Sequence, residues 1–266
     1  MSPLVPIPGL LLDHVVVVSG VGPGLGRSIA LRAAEAGADV VLLARTEKRL
    51  AVIAEEVDRI GRTALVLPVD ITDEASAQHV LDATLQELGR VDTLVNNAFA
   101  LPPMKDLCDT DFGALRSSFE VNVLAALRLT RAFAPALAER TGSVVMVNSA
   151  VLRHSRPPYG PYKMAKTSLL AMAQSLSSEL GPRGVRVNSV APGWIWADVL
   201  KWYFDHLAGE RGVPPQQVYD ETAAATDLRR LPEPDEIADV VVFLASSLAR
   251  AITGQCIDVN CGEFHH

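Results

Sequence analysis

Residues 14–26 read HVVVVSGVGPGLG, four consecutive valines followed by a glycine-rich turn. A continuous run of β-branched residues is typical of a parallel strand that is buried on both faces. The turn does not fit the common dinucleotide pattern G-x-G-x-x-G, but it fits G-x-x-x-G-x-G through Gly20, Gly24 and Gly26. Glycines at these points permit a tight strand-to-helix turn and let the backbone approach a pyrophosphate at a helix N-terminus. The alternative, a glycine-rich loop without a ligand, is disfavoured directly after the first strand of an alternating chain.

Strand-like and helix-like segments alternate along the rest of the chain. The predicted strands are His14–Ser19, Asp39–Ala44, Thr63–Val69, Asp92–Val95, Ser143–Asn148, Val185–Val190 and Gln255–Val259. The predicted helices are Gly26–Ala36, Glu47–Ile60, Asp73–Leu88, Asp111–Glu139, Pro161–Leu180 and Pro234–Ser246. This alternation predicts a single α/β domain over residues 1–266, a Rossmann-type doubly wound parallel sheet of about seven strands with helices on both faces.

The overall composition limits the kinds of binding partner and the cellular compartment that we expect. The chain carries 31 acidic and 24 basic residues, a net charge of −7, which argues against nucleic acid or an anionic membrane surface as a partner. The three cysteines predict neither a disulfide framework nor a metal site, so we expect no metal and a reducing, cytoplasmic location. Met1–Asp13 has no basic residue and predicts no signal peptide, and we expect no stretch long enough to span a membrane.

Two tyrosine–lysine pairs have a four-residue spacing, which places both members on one face of a helix. They are Tyr159 with Lys163 and Tyr162 with Lys166. Pro161 favours the second pair, because proline is well tolerated at the first helical position and Tyr159 would then precede the helix. A cation held near Tyr162 would lower the phenol pKa from its usual value of about 10, so that it exchanges a proton with a carbonyl or alcohol oxygen.

Ser149 completes the predicted acid/base site. It stands thirteen residues before Tyr162, at the end of a predicted strand. Its hydroxyl can hydrogen-bond the substrate oxygen that exchanges a proton with the tyrosine. We therefore expect carbonyl reduction or alcohol oxidation, with Ser149 and Tyr162 both contacting the substrate.

From about Asp13 to Gly262 the chain resembles the short-chain dehydrogenase/reductase family. The matching positions are the glycine turn preceded by Ser19, Asp70, Asn96-Asn97-Ala98, Asn122, Ser149, Tyr162, Lys166 and Pro192-Gly193. The chain departs from the family pattern at Phe99, Met164-Ala165 and Ala197.

The resemblance implies catalytic roles and a cofactor-binding set. Tyr162 is implied to be the acid/base, Lys166 to lower its pKa and bind the nicotinamide ribose, and Asn122 to hold a water that links the lysine to solvent. The alternative for Asn122 is a side chain that satisfies backbone groups within its helix. The implied cofactor-binding residues are Gly20, Gly24, Leu25, Gly26, Asp70, Ile71, Asn97, Ala98, Tyr162, Lys166, Pro192, Gly193 and Ile195.

Arg45 bears on the choice between NADP(H) and NAD(H). It follows Ala44 at the end of the second predicted strand, where dinucleotide enzymes that prefer NAD usually carry an acid. A guanidinium there can pair with a 2′-phosphate, so NADP(H) is favoured. The alternative is that Arg45 is a solvated cap of the next helix and that NAD(H) is accepted.

The segment from Trp194 to Leu231 breaks the alternation and is expected to lack regular structure. It contains all three tryptophans of the chain, Trp194, Trp196 and Trp202. We interpret it as a substrate lid over a bulky hydrophobic ketone or alcohol, although some rings could instead pack on the protein body or at a subunit contact. Three basic residues near the expected pocket rim are interpreted as exposed surface charge rather than contacts to an acidic substrate: Arg153, His154 and Arg156.

The predicted function is hydride transfer between NADP(H) or NAD(H) and a carbonyl or secondary alcohol. The small residues of the Pro161–Leu180 helix permit close helix contact, and the resemblance implies a homodimer or homotetramer through it. A rival of another class is a non-catalytic dinucleotide-sensing or scaffolding protein on the same fold. The presence of all four residues implied in catalysis argues against that rival.

Overall fold

In the computed structural model, which describes residues 9–265, seven parallel strands form one sheet in the order β3-β2-β1-β4-β5-β6-β7. The strands are β1 Val15–Ser19, β2 Asp39–Ala44, β3 Ala64–Pro68, β4 Thr93–Asn96, β5 Ser143–Val147, β6 Arg186–Pro192 and β7 Cys256–Val259. The order reverses between β1 and β4, which confirms the predicted doubly wound sheet. The expectations for residues 1–8 lie outside the described residues.

Helices cover both faces of this sheet. Within residues 9–265 they are α1 Leu25–Glu35, α2 Glu47–Ile60, α3 Ser76–Leu88, α4 Phe112–Phe119, α5 Ala125–Glu139, α6 Gly160–Leu180, α7 Asp198–Arg211, α8 Pro215–Ala223 and α9 Pro234–Ala245. Val16 and Val18 of β1 pack toward α1, α2 and α9, whereas Val15 and Val17 pack toward α3, α5 and α6. Because each valine is buried on one side or the other, the strand shows no polar alternation.

The predicted helix Asp111–Glu139 is interrupted by a π-helical turn at Glu120–Leu124. Asp111 caps its start, since the carboxylate accepts from the backbone N–H of Ala114 at 3.0 Å. By length and composition Phe112–Glu139 could cross a membrane, which corrects the expectation that no stretch is long enough. It is a core helix of this fold, because 56% of its apolar window is buried inside the molecule.

The segment from Trp194 to Leu231 contains α7 and α8, so the expectation that it lacks regular structure is wrong. Leu200, Phe204 and Ala208 recur every four residues on α7 and are buried with Val218 of α8 in a small apolar cluster of their own. This spacing places them on one helical face, which explains why the segment is helical.

Candidate active site

At Gly20 and Gly26 the glycine turn leaves no room for a side chain. Gly20 has a φ of 74°, and a Cβ there would come within 2.6 Å of the Ala98 backbone nitrogen. A Cβ on Gly26 would lie 2.5 Å from the Gly20 carbonyl oxygen. Gly24, with a φ of 96°, precedes α1, and no side chain among residues 9–265 caps the backbone N–H groups that begin at Leu25. Close backbone approach and free amide donors fit a dinucleotide pyrophosphate.

Asn97 supports this turn from the end of β4. Its side-chain Nδ2 donates to the Gly20 carbonyl at 2.8 Å, and its backbone N–H donates to Ser19 Oγ at 3.2 Å. Ala98 faces the adjoining cavity, but Asn97 is absent from the cavity lining. These two predicted cofactor-binding residues therefore differ: Ala98 lines the cavity, and Asn97 holds the glycine turn.

A cavity of about 490 Å³ opens beside the glycine turn. Its lining includes these predicted cofactor residues: Gly20, Arg45, Asp70, Ile71 and Ala98. It also includes Phe99, one of the departures from the family pattern, and residues that sequence reasoning missed, among them Thr46, Arg49, Thr72 and Val121. For Arg49 a signal was available, because it stands four residues after Arg45 at the start of α2.

Arg45 and Arg49 place two exposed guanidinium groups on this cavity wall. Thr46 is the N-cap of α2, so the alternative in which Arg45 caps that helix is not what the structure has. The Asp70 carboxylate accepts from Thr72 N–H at 3.0 Å and from Thr72 Oγ1 at 2.7 Å. These bonds lower the Asp70 pKa, with a smaller contribution from the Arg45 charge. Arg45 and Arg49 thus make the cavity wall nearest α2 positively charged.

Tyr162, Ser149 and Lys166 come together where β5 meets α6. The Tyr162 hydroxyl lies beside Ser149, which lowers the phenol pKa. Ser149 stands at the start of a short 3₁₀ turn, and its Oγ accepts from Val151 N–H at 3.2 Å. Lys166, one helical turn after the tyrosine, is 2% exposed. Its Nζ donates to the Val147 carbonyl at 2.8 Å and lies 5.8 Å from the centre of the Tyr162 ring.

Burial dominates the electrostatics of this pair. It raises the pKa of Tyr162 to about 12, and the hydrogen bond to Ser149 opposes the rise only in part. It lowers the pKa of Lys166 to about 7. The expectation that the lysine makes the phenol acidic is wrong for this geometry, because desolvation favours the neutral form of both groups. At neutral pH the phenol holds its proton beside a partly neutral amine.

The rejected pair, Tyr159 and Lys163, does not form such a site. Helix α6 begins at Gly160, so Tyr159 lies outside it, as the position of Pro161 predicts. Lys163 Nζ instead donates to the His154 carbonyl at 2.6 Å and to Ser155 Oγ at 2.9 Å. This lysine is bound to the loop between β5 and α6.

Asn122 lies in the π-helical turn, which packs against α6. Its Nδ2 donates to the Ala100 carbonyl at 2.7 Å and to the Ser118 carbonyl at 2.8 Å, as the backbone-satisfying alternative expects. Its Oδ1 is buried without a partner among residues 9–265. An open acceptor at this position is compatible with a bound water, so the two interpretations of Asn122 coexist.

The segment after β6 passes along the same edge of the sheet. Pro192 is the last residue of β6, and the Gly193 N–H donates to the Val259 carbonyl at 3.3 Å. Ile195 is partly buried against the apolar core on the α1 side. These three predicted cofactor-binding residues therefore lie at or directly after the end of β6, the strand next to β5.

The tryptophans differ in their surroundings. Trp194 stacks on Tyr203 with ring centres 6.4 Å apart, and Trp196 meets Tyr219 edge-on at 4.6 Å. Both pack against the α7–α8 cluster, as the alternative of packing on the protein body expects. Trp202 is 67% exposed and stacks on His206.

The three basic rim residues are not all surface charges. Arg153 Nε lies 3.0 Å from Asp258 Oδ2, and its side chain is 17% exposed, so the expectation of exposed charge is wrong for this residue. The pair joins the 3₁₀ turn after Ser149 to β7. His154 contacts the Phe264 ring at 5.5 Å.

Known proteins resemble this chain over almost its whole length. A family model described as enoyl-(acyl carrier protein) reductase matches residues 20–263. The L-rhamnose 1-dehydrogenase (NAD(P)(+)) of Azotobacter vinelandii is 32% identical over 261 residues, which cover 96% of this chain and 98% of that protein.

Two solved structures share the fold. The 7α-hydroxysteroid dehydrogenase complexed with NADH and 7-oxo glycochenodeoxycholic acid has a TM-score of 0.86 at 28% identity, covering 96% of each chain. The L-sorbose reductase from Gluconobacter frateurii, complexed with NADPH and L-sorbose, has a TM-score of 0.90 at 25% identity. This match covers 98% of the present chain and 100% of the other.

All three relatives are dehydrogenases or reductases, which weighs against the sensing or scaffolding alternative. The dinucleotide turn and the tyrosine, serine and lysine at the end of β5 agree with that chemistry. The chain belongs to the short-chain dehydrogenase/reductase family and is an NAD(P)-dependent oxidoreductase of alcohol and carbonyl groups.

Proposed function

We propose that the protein prefers NADP(H) to NAD(H) and acts on the carbonyl group, or the corresponding secondary alcohol, of a bulky and largely apolar substrate. The cofactor preference is supported by Arg45 and Arg49, two exposed cations on the wall of the cavity beside the glycine turn. Paired guanidinium groups suit a 2′-phosphate, whereas an acid at this strand end suits a free ribose diol.

The residues that would hold the cofactor run from the glycine turn to the end of β6. Gly20, Gly24, Leu25 and Gly26 would hold the pyrophosphate, with Asn97 supporting their turn. Asp70, Ile71 and Ala98 would line the adenine side, and Pro192, Gly193 and Ile195 the nicotinamide side. When bound, the nicotinamide supplies or accepts the hydride.

The proton transfer is assigned to the residues around β5 and α6. Tyr162 Oη donates its proton to the carbonyl oxygen, and the Ser149 hydroxyl orients that oxygen through a hydrogen bond. The observation that carries this assignment is the contact of Tyr162 with Ser149 beside the buried amine of Lys166. With a pKa of about 7, Lys166 can take up and release protons near neutrality, and a water held by Asn122 would connect it to solvent.

We further assign residues 194–231 as the substrate lid. Val199, Trp202 and Tyr203 are exposed on α7 and recur at the spacing of one helical face. Trp194 and Trp196 contact Phe204 on the buried side of the same helix, with ring centres 6.3 and 5.6 Å apart. An exposed apolar face on the segment that follows the nicotinamide residues suits the body of an apolar ketone.

We also propose a cytoplasmic homodimer or homotetramer that associates through α6. The exposed residues of this helix are Thr167, Ala171, Gln174, Ser175, Ser178 and Glu179, and the small ones among them permit close approach of a second copy. Light scattering of the purified protein should give a multiple of the monomer mass, and Ala171→Arg should reduce it. A wild-type protein that is monomeric at all concentrations would contradict this assembly.

The function is tested by measuring NADPH oxidation with ketones of increasing apolar bulk, such as acetone, cyclohexanone and 2-decalone. We expect kcat/KM to increase along this series and to be higher with NADPH than with NADH. If NADPH binds, as followed by its fluorescence, and no ketone causes oxidation, the dinucleotide-sensing alternative is favoured. Higher activity with NADH would contradict the cofactor assignment alone.

A further inference from the structure

Glu263 lies beside the backbone that follows β6. Pro192 and Val259 are paired neighbours at the ends of β6 and β7, so the two segments that leave these strands run side by side. A Cβ on Gly193 would lie 3.0 Å from Glu263 Oε2. Because β5 adjoins β6, this carboxylate stands at the same sheet edge as Ser149.

The residues on either side of this glutamate are held in place. Asn260 Oδ1 accepts from Gly262 N–H at 2.9 Å, and its Nδ2 donates to the Phe264 carbonyl at 3.2 Å. The Phe264 ring lies 5.5 Å from the His154 ring and 5.6 Å from the Arg156 guanidinium carbon. The C-terminal segment is thus anchored to the loop between Ser149 and Tyr162, and the carboxylate has a defined position.

Glu263 has unused hydrogen-bonding capacity. The Trp194 side chain is the neighbouring donor that lowers the Glu263 pKa, and among residues 9–265 the carboxylate forms no ion pair shorter than 4 Å. An ionised carboxylate offers about four acceptor positions, so one indole N–H leaves most of them open. Burial raises the pKa of Glu263, which shows that its partners do not compensate for lost water.

Two tyrosines pack on residues that neighbour Glu263 or its segment: Tyr203 stacks on Trp194 with ring centres 6.4 Å apart, and Tyr159 meets His154 edge-on at 5.1 Å. Burial raises the pKa of Tyr159, and the neighbouring Tyr203 and Glu263 raise it further. Tyr159 belongs to the loop before α6, and Tyr203 to the exposed apolar face of α7. Polar groups from this loop, the lid and the C-terminal segment therefore lie near the end of the sheet at which Ser149 stands.

We propose that Glu263 recognises a hydroxyl group of the substrate that is remote from the reacting carbonyl. The substrate is then a hydroxy-ketone with an apolar body, a refinement that rests on the proposed function. A neutral hydroxyl suits the site better than an amine, because the Arg156 charge lies near Glu263 and burial penalises a further charge. Glu263 accepts the hydroxyl hydrogen bond, and the apolar face of α7 covers the rest of the molecule.

The test compares ketones with and without a distal hydroxyl on the same skeleton: cyclohexanone with 4-hydroxycyclohexanone, and 2-decalone with 6-hydroxy-2-decalone. Wild type should prefer the hydroxylated member by about tenfold or more in kcat/KM. Glu263→Leu should abolish this preference through a higher KM for the hydroxylated ketone and leave kcat for the plain ketone within about twofold. Glu263→Gln, which keeps an uncharged acceptor, should retain part of the preference.

The matched control is Asp227→Asn. The Asp227 carboxylate bonds His265 of the same C-terminal segment at 2.9 Å, so this variant loosens the segment without removing Glu263. It should keep the preference for hydroxylated ketones. An equal loss in both variants would mean that Glu263 only anchors the chain, which overturns the proposal.

The remaining outcomes distinguish the role of Glu263 from the proposed function. A wild type that reduces plain ketones without any hydroxyl preference, or Glu263→Leu with the full preference, overturns the role of Glu263 alone. A wild type that reduces no ketone overturns the proposed function and this inference with it. If Glu263→Leu does not fold by thermal melting, Glu263→Gln decides: a preference reduced by about threefold or more supports the role, and an unchanged one overturns it.

Discussion

Replacement of Lys166 by methionine should make the protein more stable and change how its stability depends on pH. The amine is fully enclosed, and burial lowers its pKa from 10.5 to about 7. Its Nζ has the Val147 carbonyl as an acceptor at 2.8 Å, and among residues 9–265 no carboxylate forms an ion pair with it. Methionine removes the amine and keeps an unbranched side chain that fits the same space.

The magnitude follows from the two pKa values. One pKa unit corresponds to about 1.36 kcal/mol, so the step from 10.5 to about 7 costs the charged form about 5 kcal/mol on folding. Between these values the unfolded lysine holds a proton that the folded one has lost. Wild-type stability therefore rises with pH in this window by about 1.4 kcal/mol per unit from this group, and the penalty is fully present below pH ~7.

Urea unfolding at pH 6, 7, 8 and 9 measures this difference, since other groups titrate alike in both proteins. The stability advantage of Lys166→Met should fall by about 3 kcal/mol between pH ~7 and ~9 and change little below pH ~7. The control is Lys163→Met, whose amine is bound at the surface by Ser155 Oγ and should leave the wild-type pH dependence unchanged. A Lys166→Met advantage that is constant with pH would refute the reasoning.

Two further predictions concern the cofactor. Arg45→Ala and Arg49→Ala should each weaken NADPH binding by roughly 10- to 150-fold while NADH binding changes little, because a charge-assisted hydrogen bond is worth about 1.5–3 kcal/mol. Fluorescence titration measures both affinities, and equal losses for the two cofactors would contradict the assignment. Gly20→Ala should abolish binding of either cofactor, since its Cβ would come within 2.6 Å of Ala98 N. Gly61 has a φ of 85°, and a Cβ there would have no atom of residues 9–265 within 4 Å, so Gly61→Ala should cost about 1–2 kcal/mol in urea unfolding and bind both cofactors normally. Similar cofactor binding by the two alanine variants would contradict the role of the glycine turn.

The sheet was largely predictable from the sequence, because parallel strands buried on both faces are continuous apolar runs. The predicted Asp39–Ala44 coincides with β2, and His14–Ser19 differs from β1 by one residue. Helix α7 was missed although Leu200, Phe204 and Ala208 carry a four-residue period. Exposed aromatic residues such as Trp202 and Tyr203 alternate with this period and mask it in the sequence.

The site was predictable in its residue types but not in its electrostatics. The spacing of Tyr162 and Lys166 indicates that the two side chains meet, and Pro161 distinguishes them from the neighbouring pair. Whether the lysine charge or burial dominates the phenol pKa depends on how much water reaches the site, which spacing does not encode. The neighbours of Glu263, such as Trp194, likewise come from distant parts of the chain, so the sequence around Glu263 does not indicate a functional role.

The central claim is that the Tyr162 hydroxyl transfers the proton to or from the substrate oxygen. Tyr162→Phe removes only that oxygen and keeps the ring beside Lys166. Both quantities are measured on the same preparation of this variant. Its NADPH affinity should remain within about twofold of wild type, and its kcat for ketone reduction should fall by ~10²–10⁴-fold. A variant that binds NADPH normally and retains more than about a tenth of the wild-type kcat would contradict the account.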